Sequence, residues 1–219
     1  MTSTPRTTTP AARRAASLAY AEAFVGEDDD ARQARAASRT LGIAPVSQGT
    51  SSLLTFLARL IQARAVVEIG TGTGVSSLAL LRGMASDGIL TSIDQESEHQ
   101  AEARKALNSA GVATRRARLI AGAALDVLPK LSSGAYDLVF VDGDPLEYVE
   151  YIDQAQRLLR SGGLLVLNHA FADGGVADET NEDDDTVIIR EALAAVDEMD
   201  EFAGILVPLG DGVVVAQRA

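Results

Sequence analysis

The 219-residue chain contains no cysteine, which excludes disulfides, thiolate metal sites and a cysteine nucleophile and fits a cytoplasmic protein. Lysine is nearly absent: Lys105 and Lys130 are the only two, and the remaining fixed positive charge is arginine. Histidine is equally scarce, with His99 and His169 alone. No apolar run approaches the ~20 residues of a membrane span, and Met1–Pro10 lacks the apolar stretch of a signal peptide. Basic charge is outweighed overall: the net charge is −12 and the pI about 4.6. A chain this acidic repels polyanions, so neither nucleic acid nor an anionic membrane is an expected partner.

What the chain has is apolar residues, 47% of the total, ample for a core. One domain is expected over residues 11–219, behind a disordered tail at 1–10. Helical segments are expected over 11–24, 31–38 and 48–63, the last capped by Ser47 and apolar along Leu53, Leu54, Leu57, Leu60 and Ile61. These N-terminal helices (11–63) precede a core (64–219) in which strands near 65–69, 89–94, 117–121, 136–142 and 163–168 alternate with helices near 74–85, 96–110, 123–131 and 146–160. Such alternation means a mostly parallel sheet covered on both faces. The acidic stretch 173–185 reads as a surface loop or lid, followed by a helix from Thr186 to about Met199. Ile205–Leu209 and Val213–Ala216 flank Gly210-Asp-Gly212, the signature of a hairpin.

The most informative stretch is Glu68-Ile-Gly-Thr-Gly-Thr-Gly74, directly after Ala65-Val66-Val67. A β-branched run ending in clustered glycines reads as a buried strand turning sharply into a helix. The backbone there can approach a ligand closely, and the helix start offers free N–H groups. A dinucleotide fingerprint requires G-x-G-x-x-G, but the sixth position here is Val75 and an acid precedes the first glycine. Ile89-Leu-Thr-Ser-Ile-Asp94 reads as the next strand, ending in a carboxylate that can accept both hydroxyls of a ribose or, more simply, cap the helix after it. Ligands in open α/β sheets lie beyond the carboxyl ends of the strands. Gly122-Ala123, Asp142-Gly-Asp144-Pro145 and Asn168-His169 occupy the other strand ends, and Asp142 closes a strand too apolar to carry an unpartnered acid. His99 is expected on a solvated helix.

E-x-G-x-G-x-G with a following acid resembles the first motif of class I S-adenosylmethionine (SAM) methyltransferases. From Pro45 onward the chain resembles the small O-methyltransferases related to caffeoyl-CoA and catechol O-methyltransferases. The resemblance rests on Glu68–Ser76, Val139-Phe-Val-Asp-Gly-Asp144, Tyr148-Val-Glu-Tyr151 and Leu158-Leu-Arg-Ser-Gly-Gly-Leu-Leu-Val166. It implies a Rossmann-like fold with a seven-stranded, mostly parallel sheet closed by an antiparallel hairpin. It implies SAM contacts at Val46, Glu68, Gly70, Thr71, Ser76, Asp94, Ala123 and Asp144, with Asp142 facing both methyl donor and acceptor. It further implies a homodimer and a small hydroxylated acceptor.

Two departures bear on the chemistry. The metal-dependent relatives carry a lysine where Pro145 stands and an Asp-Asn pair where Asn168-His169 stands. Asp142, Asn168 and His169 could hold a divalent cation, but with one carboxylate the set suits Mn²⁺, Fe²⁺ or Zn²⁺ better than Mg²⁺. Alternatively, His169 replaces metal and lysine as general base, since an imidazole of ordinary pKa, about 6.5, takes a hydroxyl proton near neutral pH. The expected catalytic residues are therefore Asp142 and His169. The competing readings are a SAM-binding protein without catalysis and a nicotinamide-dependent dehydrogenase.

Overall fold

The computed structural model describes residues 9–219. Most of the tail expected at 1–10 therefore lies outside the described residues. Its last two members are helical punctuation: Thr9 accepts the N–H of Ala12 through Oγ1 at 3.2 Å, and Pro10 opens α1 (Pro10–Glu22). Helix α2 (Asp29–Thr40) is capped by Asp28, which accepts from Ala31 N at 3.0 Å. Helix α3 (Gln48–Leu60) is capped by Ser47, which accepts from Thr50 N at 3.0 Å. Leu54 and Leu57 bury as the apolar face of α3 requires, but Leu60 does not: it is 64% exposed, because the helix ends there and the chain turns away into β1.

The core alternates as expected. Strands β1 (Ala65–Ile69), β2 (Ile89–Asp94), β3 (Ala117–Ala121), β4 (Tyr136–Val141) and β5 (Leu159–Leu167) are parallel; β6 (Phe202–Val207) and β7 (Val213–Arg218) form the closing hairpin. The seven-stranded sheet has the order β3-β2-β1-β4-β5-β7-β6, with β7 inserted antiparallel beside β5. Its order reverses at β1, and the crevice of such a sheet lies beyond the carboxyl ends of β1 and β4, where the chain leaves toward opposite faces. Helices α4 (Val75–Gly83), α5 (Ser97–Ser109), α6 (Ala124–Val127), α7 (Tyr148–Leu158) and α8 (Asp184–Glu198) cover the two faces. Helix α6 is shorter than the 123–131 expected: Pro129 lacks an N–H, and the chain passes into a 3₁₀ turn over Leu128–Lys130.

Strand alternation sorts the core into two layers. Val139 and Val141 of β4 join Ile69, Tyr148, Ile152 and Ile189 on one side; Leu138 and Phe140 join Leu54, Leu78 and Leu90 on the other. Tight packing on both faces leaves the carboxyl ends of the strands as the place where side chains can face a ligand.

Candidate active site

A cavity of about 740 Å³ opens at those strand ends, between the first glycine turn, the end of β2, the Asp142–Tyr148 segment, the Asn168-His169 pair and the β6–β7 turn. Gly70 has φ +90°, and a Cβ there would fall 2.1 Å from the carbonyl oxygen of Asp142, so only glycine lets β1 and β4 end this close together. A Cβ on Gly72 would meet nothing within 4 Å: that edge of the turn faces the open cavity. Val46, Gly70, Thr71, Ser76, Asp94, Ala123, Asp142, Asp144, Asn168 and His169 all line the cavity. Glu68 lies beneath it, fully buried.

Hydroxyls organise the buried acid. Ser77 and Ser92 both donate to Glu68 Oε2, the latter at 2.6 Å, and Thr71 Oγ1 lies 2.6 Å from Ser92 Oγ. Burial pushes the Glu68 carboxyl up to about 7, against the hydroxyls of Ser76, Ser77 and Ser92, which favour its charge; the nearby Asp94 charge adds to the rise. Its Oε1 has no hydrogen-bond partner among the described residues.

Asp94 ties the turn to the next element. Its Oδ2 accepts the N–H of Gly72 at 2.9 Å, and its Oδ1 accepts that of Glu96 at 2.8 Å. The capping role and a position on the cavity wall thus coexist. His99, expected in solvent, lines the cavity instead, with Nδ1 3.4 Å from Asp94 Oδ1. It is the third residue of α5, five residues after Asp94.

Across the crevice, Val141 pairs with Leu167, so Asp142 and Asn168 emerge side by side and Asn168 Nδ2 donates to Asp142 Oδ1 at 2.8 Å. Asp142 keeps one side on the cavity, yet the surrounding protein pushes its carboxyl up to about 7, opposed by the Asn168 hydrogen bond and aided by the charge of Glu68. Asp144 accepts Leu146 N at 3.1 Å and starts the turn into α7; Tyr148 buries beneath, its hydroxyl donating to Asn168 O at 3.2 Å.

His169 lines the cavity with one edge of its ring toward the β6–β7 turn. Its backbone is left-handed, φ +59°, and its Nδ1 lies 2.6 Å from Oδ2 of Asp211 on the β6–β7 turn. Asp211 carried no signal in the sequence beyond its place between two turn glycines. The expected cation set is not drawn together as it stands, which leaves Asn168 Oδ1 and His169 Nε2 as the atoms it would have to use beside Asp142. The amide that would offer an oxygen presents its N–H to Asp142, and Nδ1 of His169 is taken by Asp211. Another group, His169, Asp173 and Asp211, has ligand atoms all within 4.8 Å of one another among the described residues. The 173–185 stretch, expected as a loop, begins with a 3₁₀ turn over Ala172–Ala177. Arg190 of α8 ties it down, donating to Gly175 O at 2.9 Å and Asn181 O at 2.7 Å.

No arginine or lysine lines the cavity among the described residues, whereas Asp94, Glu96, Asp142, Asp144, Glu147 and Asp211 do. The lining therefore carries an excess of negative charge, which suits a positive charge on a ligand.

A doubly wound sheet closed by an antiparallel hairpin, with an acidic glycine-turn crevice at its switch point, defines a class I methyltransferase fold. Residues 29–219 match the O-methyltransferase family model, and the chain belongs to that family. It is 44% identical over 206 residues to a Mycobacterium sp. (strain JLS) protein named "Putative O-methyltransferase", covering 94% of each. Among solved structures it is similar to a Corynebacterium glutamicum protein (TM-score 0.87, 32% identity, 94% and 97% of the two chains). It is also similar to the O-methyltransferase TomG of Streptomyces achromogenes, involved in tomaymycin synthesis and solved with SAM (TM-score 0.83, 30% identity, 94% and 96%). Family membership sets aside the dehydrogenase reading.

Proposed function

We propose that this O-methyltransferase uses SAM as methyl donor and a hydroxyl of a small, phosphate-free molecule as acceptor. The observation that carries the reading is the cavity wall: glycine turn and carboxylates, with no arginine or lysine among the described residues. A nicotinamide dinucleotide or a coenzyme A thioester would bring phosphates into that field; a sulfonium brings a positive charge. The unpartnered, buried Oε1 of Glu68 and the open edge of Gly72 fit a cationic ligand laid on the turn.

Bound SAM supplies an electrophilic methyl group on sulfur. The chain's own residues hold and orient. Gly70, Thr71 and Ser76 form the floor, with Glu68 below them. Asp94 has two lone-pair sites left after Gly72 and Glu96 for ribose hydroxyls. Val46, Ala123 and Asp144 bound the rest of the ligand, and Asp142 faces donor and acceptor together. His169 takes the acceptor's proton. Alignment of two bound reactants is itself worth several kcal/mol.

The active form is a homodimer in the cytoplasm. Helix α1 buries no residue of its own, Tyr20, Phe24, Phe56 and Leu60 are exposed, and the edge strand β6 exposes Ile205 and Leu206. No described helix is long and apolar enough to cross a membrane. Calorimetry with SAM and NAD⁺, followed by transfer of labelled methyl from SAM to a panel of small phenols and alcohols, tests the function. Binding of SAM but not NAD⁺, with label in an ether product, is expected. SAM binding without transfer to any acceptor would favour a non-catalytic binding protein.

A further inference from the structure

The β6–β7 turn reaches into the cavity and grips the segment that carries His169. The antiparallel register Leu167↔Val214, continued past the end of β5, brings residues 168–173 against residues 210–212. Three hydrogen bonds follow, two between backbones and one to a side chain: Ala170 N donates to Gly212 O at 3.1 Å, Phe171 N to Asp211 O at 2.8 Å, and Asp173 N to Asp211 Oδ2 at 2.9 Å. The turn is itself held from the far side. Glu22, at the end of α1, accepts Gly210 N through one oxygen and Gly49 N, at 2.8 Å, through the other. Asp211 is therefore a fixed carboxylate on a seat built from three parts of the chain.

We propose that Asp211 is a positioning residue that holds His169 in the Nδ1–H tautomer and points Nε2 at the acceptor hydroxyl. This rests on the reading of His169 as the proton acceptor. The carboxylate oxygen lies 2.6 Å from Nδ1, and a proton held between them leaves the lone pair of the ring on Nε2, at the opposite edge. A left-handed backbone at His169 costs about 1 kcal/mol for a residue with a Cβ. The Asp211 contact and the three flanking hydrogen bonds over-determine that conformation. In the reaction, the hydroxyl proton passes to Nε2 as the oxygen bonds to the methyl carbon. The carbon–sulfur bond of the donor breaks with its electron pair left on sulfur, and the imidazolium so formed lies against the Asp211 carboxylate. The same division of labour operates where an aspartate orients the imidazole of a catalytic triad; here the carboxylate is half-buried.

With only two histidines in the chain, nitrogen NMR of ¹⁵N-histidine protein reads the tautomer directly, and His99→Ala identifies each ring. The expected result is an Nδ1–H tautomer at His169 in the wild type and a mixture in Asp211→Ala, whatever the enzyme methylates. In turnover, Asp211→Ala should lower kcat roughly 10–100-fold, below the ~10²–10⁴-fold of a general base itself. SAM affinity should stay within a few-fold. Asp211→Asn keeps the shape but can donate its amide N–H to Nδ1, so it should favour the Nε2–H tautomer and lower kcat at least as much as alanine; it serves where the alanine variant folds poorly. Adding Asp211→Ala to His169→Ala should cost nothing further, because the two act as one unit. The proposal is overturned by an Nε2–H tautomer in the wild type, by additive losses in the double variant, or by normal kcat in both Asp211 variants. It is equally overturned if a chelator abolishes turnover and Mn²⁺ or Zn²⁺ restores it, since His169, Asp173 and Asp211 would then hold a cation. Absence of methyl transfer by the wild type, with the tautomer as expected, would count against the function and not against the pairing.

Discussion

Asn168 Nδ2 sits 2.8 Å from Asp142 Oδ1, each residue one step beyond the end of a neighbouring strand. The amide favours the charged form of a carboxyl that burial pushes up to about 7. Asn168→Ala removes that donor and should move Asp142 further up. If ionised Asp142 is the working form, the wild-type rate rises with pH through about 7, and the rise in Asn168→Ala shifts to higher pH. A pH–kcat profile of both proteins checks this; coincident profiles would show that Asp142 does not act as a charge.

Glu68 should make the ligand-free protein less stable as the pH rises. Its carboxyl ordinarily titrates near 4.5 and is pushed up to about 7 in the fold, so the folded state holds the proton more tightly between those values. Stability is then greatest below pH 4.5 for this group and falls as pH climbs toward 7, by on the order of a few kcal/mol. Glu68→Gln keeps the shape without the charge. Urea melts at pH 5 and pH 7.5 should show a smaller difference for the variant than for the wild type; equal differences would mean that Glu68 does not carry the effect.

Gly70→Ala should destabilise the chain and close the crevice. The added Cβ would lie 2.1 Å from Asp142 O, against backbone that cannot swing aside, in a left-handed conformation. Overpacking of this kind costs about 1–3 kcal/mol, and the backbone conformation about 1 more. Chemical denaturation measures the loss. Gly72→Ala meets no protein atom within 4 Å and carries only the left-handed backbone cost of about 1 kcal/mol, so it should cost less stability than Gly70→Ala while weakening SAM binding.

Much of the fold was legible because the signals are local. Strands β1 to β4 are β-branched or apolar runs ended by glycine or an acid, and their bounds match the expected ones to a residue. Strand β5 was expected from residue 163 but begins at Leu159: Arg160-Ser-Gly-Gly163 reads as a turn, yet Leu159 pairs with Tyr136 before a register shift ahead of Leu138. Leu60 belonged to an apolar stripe, but no element packs over the end of α3 to bury it. In the site, the strand-end residues could be placed because the sheet order dictates where strand ends meet. The partners of those residues could not. Asp211 reaches His169 through a hairpin register, a product of tertiary geometry with no counterpart in local spacing. His99 meets Asp94 across the short turn from β2 into α5, five residues on, a local contact that the helical pattern alone does not orient.

Calorimetric titration of SAM into the wild type and into Asp94→Ala, with circular dichroism confirming that both are folded, tests most directly whether SAM lies against the β2 carboxylate. Asp94 ties Gly72 and Glu96 and is left with acceptor sites facing the cavity. A hydrogen bond to a charged group is worth about 1.5–3 kcal/mol, so affinity should fall by roughly ten- to a hundredfold. Wild type that binds SAM and a variant weakened to that degree is the expected result. Unchanged affinity in a folded Asp94→Ala protein, or no SAM binding by the wild type, would contradict it.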